Sequence, residues 1–257
     1  MLATSLPLGW RLIIFLAAGV AGGIANGIAG GGTFLTFSTL LATGIPALQA
    51  NVSSTVGVVP SYVGGIRGFR FQLGEHRALI RSLVPSCVIG SGIGCALLLL
   101  GSPHTFRIVV PWLIGGATVL FALAPQITKR LAHIDHTHGA RRWALFVGIL
   151  LASIYGGYFG AGLGIVLLAV LAVALPFEIH ELQGIRNVFS MIINIIAAII
   201  FIIRGHLALD AVYMLFIGTL IGGWLGTRLI KRLSAKVVRA LVIATGVATT
   251  IYLALGK

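Results

Sequence analysis

Gly27-Ile28-Ala29-Gly30-Gly31-Gly32-Thr33 lies in the middle of an apolar run that extends from about Leu12 to Ala42. A phosphate-binding glycine loop continues into Lys and then Ser or Thr, because the cation and the hydroxyl complete the phosphate and Mg²⁺ site. Here Phe34, Leu35, Thr36 and Phe37 follow, which excludes that chemistry. A glycine cluster at membrane depth points instead to a broken helix. Broken backbone finds no water in hydrocarbon, so it is tolerated only where protein buries it or where it lines a polar cavity.

The surrounding chain supports membrane depth. It has 257 residues, 58% of them hydrophobic and 9% charged, with a mean hydropathy of +1.07. Apolar runs of helix-spanning length recur from end to end, the pattern of a polytopic all-α membrane protein with the lipid bilayer as its principal partner. Strand-period alternation is absent, which argues against an outer-membrane barrel. The net charge of +13 would suggest nucleic acid in a soluble chain. The Lys and Arg residues sit in short loops between apolar runs, so no basic surface domain exists to hold nucleic acid. Cys87 and Cys95 fall in one apolar run, about two turns apart on one helix face. That separation is too long for a disulfide within a helix, and both read as small buried thiols. The N-terminal stretch after Arg11 has a counterpart later in the chain, so it reads as a mature segment and not as a cleaved leader.

Apolar segments run about from Trp10 to Gly44, Ala47 to Gly65, Ala78 to Leu100, Ile108 to Leu123, Trp143 to Pro176, Gly184 to Ile203, Ala211 to Ile230 and Val237 to Leu255. They repeat. Pro46 and Pro176 end the first and fifth runs at an offset of 130 residues, and at that offset Gly30 and Gly32 fall on Gly160 and Gly162. Gly90 and Gly94 match Gly222 and Gly226 at an offset of 132. Residues 1–125 and 143–257 therefore read as two copies of one membrane unit, joined by a cytoplasmic linker at 126–142.

Charge bears on their orientation. Arg67, Arg70, Arg77 and Arg81 form one basic loop; Arg228, Lys231, Arg232, Lys236 and Arg239 form another. If each long glycine-interrupted run crossed once, these loops would face opposite sides. If each run enters and returns as a hairpin, with three further crossings per copy, the copies are inverted and the basic loops share the cytoplasmic side. Length agrees: residues 10–44 would span about 52 Å as one helix, against a hydrocarbon core of about 30 Å. Two part-length helices meeting at Gly27 to Gly32 fit better, and likewise at Gly156 to Gly164. The plain alternative is that glycines at i, i+4 spacing only let helices approach closely.

Polar groups at this depth are costly, so each is a functional suspect. After Pro46 come Asn51, Ser53, Ser54 and Thr55, of which Asn51, Ser54 and Thr55 share a helix face. After Pro176 come Arg186, Asn187, Ser190 and Asn194, with Asn187, Ser190 and Asn194 on one face. Amide, hydroxyl and guanidinium groups all donate hydrogen bonds. Half-helix N-termini near Gly30, Gly31, Gly32, Gly160 and Gly162 would add backbone N–H groups and a positive dipole end. Glu178 and Glu181 sit at a helix entrance, so no intramembrane acid matches these donors. A donor-rich, acid-poor site suits a small anion. The bland alternative is that Asn, Ser and Thr only bond helices together, and that Arg186 snorkels to the interface. Pro60 frees the carbonyl of Val56 and implies a kink. His133, Asp135, His136 and His138 have no spacing that fixes a metal geometry and read as a solvated linker. No cofactor, metal or catalytic group is expected.

Ala29-Gly30-Gly31-Gly32, a proline-ended helix, and Ala50-Asn51-Val52-Ser53-Ser54 resemble the first repeat of the TauE/SafE-like sulfite exporter family. The second half is similar in Gly160-Ala161-Gly162, Gly184-Ile185-Arg186-Asn187, Asn194, Phe201, Gly205 and Gly222-Gly223-Trp224-Leu225-Gly226-Thr227-Arg228. The resemblance covers nearly the whole chain, and the order of motifs across both halves carries it. It implies a multi-pass permease of the bacterial inner membrane that moves sulfite, sulfonates or related organosulfur or carboxylate anions, often outward, with protons as a plausible coupling ion and self-association left open. Two rivals stand beside it. One is an anion channel with the same hairpins. The other is a membrane-embedded enzyme built on Ser91 in Gly90-Ser91-Gly92, which lacks a base in a partner helix.

Overall fold

The computed structural model describes residues 7–28, 30–68, 74–131, 140–229 and 235–255. The His133 to His138 cluster, Arg70, Lys231, Arg232 and Ala29 lie outside these residues. The described residues form helices α1 (Leu8–Ile28), α2 (Gly32–Ala42), α3 (Ala47–Val58), α4 (Ser61–Gly68), α5 (Arg77–Leu100), α6 (Pro103–Leu131), α7 (Ala140–Tyr158), α8 (Leu163–Ala174), α9 (Ile179–Arg204), α10 (Leu209–Leu229) and α11 (Ala235–Ala254). No strand occurs among them. Among the described residues four stretches are long and apolar enough to cross a membrane: Leu8–Gly27, Arg77–Leu100, Glu181–Arg204 and Leu209–Gly226.

The glycine break is real. Gly30 adopts φ +80°, a left-handed backbone that favours glycine, and its N–H donates to the Ala25 carbonyl. Gly160 repeats this with φ +74° and an N–H bond to the Tyr155 carbonyl, at the same 130-residue offset. After each break a short helix doubles back. Gly32 lies against Gly22 and Asn26, and Thr36 against Gly22, so α2 runs antiparallel to α1.

The arms are unequal, unlike the two part-length helices expected from the sequence. α1 has 21 residues and α2 only 11; α7 has 19 and α8 has 12. The reason is the partner of each first arm. A methyl group at Gly222 would collide with the Val20 carbonyl oxygen, and one at Gly94 with that of Ile154. The α1 and α10 backbones therefore touch, as do those of α5 and α7, through small residues. This seam extends along α1 and α7 and keeps them helical over nearly a full span. The close backbone approaches of α2 and α8 lie at their first turns, Gly32 against Gly22 and Gly164 against Gly30.

Residue pairs along the seams give direction. Leu16, Val20 and Ile24 meet Gly218, Gly222 and Gly226, so α1 and α10 run the same way. Leu150 and Ile154 meet Gly90 and Gly94, so α5 and α7 do too. Along α3 and α4, Gly57 accepts from the Thr219 hydroxyl and Ser61 meets Gly223, which sets them parallel to α10. Tyr62 pairs with Asn194, and Ser53 with Ala208, which sets α3 and α4 against α9. Ser91 bonds the Ile193 carbonyl and His76 reaches Glu181, so α9 runs with α5.

Pro46 caps α3, and Val59 and Pro60 separate α3 from α4, the kink that Pro60 implies. Glu178 opens α9: its side chain accepts from the Glu181 backbone, and the Glu181 side chain accepts from the Glu178 N–H at 2.9 Å. This reciprocal cap satisfies two orphan amides where the chain enters the helix. Phe15, Phe34, Phe37 and Phe159 fill the core, with Phe37 and Phe159 edge to face at 5.5 Å. Cys87 and Cys95 are buried and free.

Candidate functional site

Both polar clusters are buried where the two breaks come together. A methyl group at Gly164 would stand 3.2 Å from Gly30 Cα, and one at Gly30 would stand 2.9 Å from Arg186 Nη1. The break between α1 and α2 thus lies directly on the start of α8, with the Arg186 guanidinium beside both. Arg186 is only 4% exposed, so it does not snorkel. Its Nη2 donates to Asn187 Oδ1 at 2.8 Å, while its buried Nε has no partner.

The other residues of this cluster line α9. Asn194 donates to the Ser190 carbonyl at 2.8 Å and to the Tyr62 hydroxyl at 3.3 Å. Ser190 Oγ is buried without a partner. From the first half, Asn51 Nδ2 donates to the Tyr158 carbonyl at 3.0 Å, and its buried Oδ1 has no partner. The arrangement is reciprocal. Asn51 from the first half reaches the end of α7, beside the second break; Arg186 from the second half packs on the first break.

Three of the sequence candidates do other work. Ser53 Oγ accepts the Ala208 N–H at 2.9 Å and ties α3 to the turn before α10. Thr55 Oγ1 bonds back to the Asn51 carbonyl at 2.9 Å within its own helix. Ser54 shares a hydroxyl pair with Thr36 at 2.6 Å. The glycines supply shape more than donors in this conformation. The N–H of Gly30 and Gly160 are bonded within their own turns, and that of Gly32 donates to Asn26 Oδ1 at 2.7 Å. Gly31 is the first cap residue of α2 at φ −112°, and Gly162, at φ +76°, faces the Phe34 ring.

Sequence reasoning missed Asn26, Tyr62 and Tyr155. Asn26 holds the N-terminus of α2 from the preceding helix, and its Nδ2 donates to Ser61 Oγ at 3.0 Å. It substitutes for the N-cap side chain that Gly31 cannot supply. A lone Asn in an apolar run just before the glycines was the available signal. Tyr155 donates to the Ala161 carbonyl and braces the second break. Ser91 is fully buried and donates to the Ile193 carbonyl at 2.9 Å.

Arg186 has no carboxylate partner among the described residues. The acids they contain lie at helix ends: Asp210 pairs with Arg11 at 3.5 Å, Glu181 with His76 at 3.3 Å, Glu178 caps α9, and Glu75 lies beside His76. A buried guanidinium left without a counter-charge, with neutral amides and hydroxyls around it, is complementary to an oxyanion.

Comparison with known proteins identifies a family of membrane transporters. The family model described as Sulfite exporter TauE/SafE matches residues 15–253. The chain is also 22% identical over 241 residues to a protein of Haemophilus influenzae named "Probable membrane transporter protein", across 90% of each chain. No solved structure matches it. With its recurrent apolar helices the chain is a multi-pass inner-membrane protein, and it belongs to the TauE/SafE sulfite exporter family of membrane transporters.

Proposed function

We propose that this transporter carries small oxyanions outward, with sulfite, sulfonates and related organosulfur or carboxylate anions as the substrate class. One observation carries this: Arg186 is buried between the two helix breaks with an unpartnered Nε and no carboxylate partner among the described residues. Asn51, Asn187, Ser190 and Asn194 complete the polar lining around the substrate, where the Ser190 hydroxyl is free to donate. Gly30, Gly31, Gly32, Gly160 and Gly162 shape the breaks, and Ser53, Ser54 and Thr55 hold α3 in place.

The chain comprises two repeats, 1–125 and 143–257, joined by a cytoplasmic linker at 126–142, and the repeats are inverted. Support comes from the seams. α1 runs with α10, and α7 with α5; α10 runs with α3 and α4, against α9, and α9 runs with α5. α1 and α7 therefore point opposite ways. The same directions bring the ends of α4, α6 and α10 and the starts of α5, α7 and α11 to one side, where the basic segments lie. Positive charge marks that side as cytoplasmic.

A solute panel in reconstituted vesicles tests the substrate class. Sulfite, sulfoacetate, taurine, thiosulfate and simple carboxylates are compared with and without a pH gradient. Saturable flux of the anions, with little of zwitterionic taurine, is expected. Flux confined to taurine, or saturable flux of none, contradicts the proposal.

A further inference from the structure

The buried guanidinium of Arg186 poses a charge problem that bears on how the transporter cycles. Resting on the anion-carrier proposal above, we infer that this protein is an obligatory anion exchanger: it returns loaded with a second small anion and does not return empty. The guanidinium of Arg186 has five N–H donors. Its one hydrogen bond among the described residues goes to the neutral Asn187 amide, and Nε is buried without any. Backbone from two different hairpins, at Gly30 and Gly164, closes over it, leaving the residue 4% exposed. In this closed arrangement no carboxylate among the described residues moves in to neutralise it, because those acids are held at helix ends.

Leaving a buried charge without its counter-charge is among the costliest changes a folded protein can undergo. Water supplies the missing solvation while the site is open. Closure removes that water, so closing without an anion slows the return by about a hundredfold or more. An anion lying against Nε and Nη1 removes the penalty in both directions. The counter-substrate is therefore any oxyanion or halide small enough to enter the site and lie beside the guanidinium. The Ser190 hydroxyl, buried and free to donate, orients it; the single positive charge demands it.

The experiment uses full-length protein in vesicles loaded with radiolabelled sulfite, with potassium and valinomycin present so that membrane potential limits nothing. Efflux is compared into poly-glutamate, too large to enter the site, and into the same medium with unlabelled sulfite or chloride added. Wild-type efflux is expected to rise at least about tenfold when a small anion is supplied outside. In Arg186→Gln the closed empty site carries no charge, and the stimulation is expected to fall to about onefold even though sulfite binds more weakly. Arg186→Lys keeps the charge and is expected to retain the stimulation, which separates charge from folding. Equal wild-type efflux into both media, still weakened by Arg186→Gln, would overturn exchange while leaving the anion site standing. No sulfite flux from wild type in either medium would overturn the sulfite-carrier proposal and exchange together.

Discussion

Arg186 and Asn51 are each buried with an unpartnered polar atom, and each lies beside the break of the opposite half. Neighbouring residues of the same chemical type behave differently, which makes single substitutions informative. Asn51→Ala removes the donor to the Tyr158 carbonyl beside the second break, and sulfite flux is expected to fall about tenfold in well-expressed protein, the scale of one lost hydrogen bond. Ser53→Ala leaves the Ala208 N–H without its acceptor and is expected to lower thermal stability by about 1 kcal/mol while leaving the KM for sulfite unchanged. Unchanged flux in Asn51→Ala, or a raised KM in Ser53→Ala, would show that the roles are misassigned. The sequence made both polar clusters legible, because i, i+3 and i+4 or i+7 spacing places them on helix faces. It did not reveal which way Arg186 points. Burial of a long cationic side chain is decided by contacts with Gly30 and Gly164, far away in sequence, and local periodicity carries no record of them.

At the scale of the element, the breaks were legible and their arm lengths were not. Gly30 and Gly160 share a left-handed backbone and the same N–H bond to a carbonyl five residues back, as the 130-residue offset implied. Arm length depends on the α1–α10 and α5–α7 seams, which join residues from opposite halves. Asn26 is the fastening of the first hairpin: it caps α2 and holds Ser61 of α4. Asn26→Leu leaves the Gly32 N–H without its acceptor and removes a donor to Ser61 Oγ, which keeps its bond to the Val58 carbonyl, and is expected to cost about 1–3 kcal/mol, read as a fall in Tm in detergent. A Tm within one degree of wild type would remove Asn26 from that role. Gly222→Leu should fail in another way. Its side chain would have to displace the α1 backbone at Val20, so the expected outcome is loss of folded protein; a well-folded Gly222→Leu variant would contradict the backbone contact.

For the whole molecule, inversion makes a prediction about sidedness. Single cysteines replacing Arg77 and Arg239 are expected to react with an impermeant thiol reagent only from the cytoplasm, and one replacing Arg107 only from outside. This uses a background in which the buried Cys87 and Cys95 are changed to Ser. Labelling of positions 77 and 239 from opposite sides would rule out inverted repeats. The family was legible because motif order spans both halves. How the halves interlock was not, because each contributes its polar cluster to the break of the other. That interlocking places one unneutralised cation where two helix breaks meet, and the proposed function depends on it. Calorimetric titration of the purified protein with sulfite tests it most directly, comparing wild type, Arg186→Gln and Arg186→Lys, with Arg11→Gln as a control outside the site. Binding is expected to weaken about tenfold to a hundredfold in Arg186→Gln, to be partly kept in Arg186→Lys, and to be unchanged in Arg11→Gln. Equal affinity of wild type and Arg186→Gln would contradict the account.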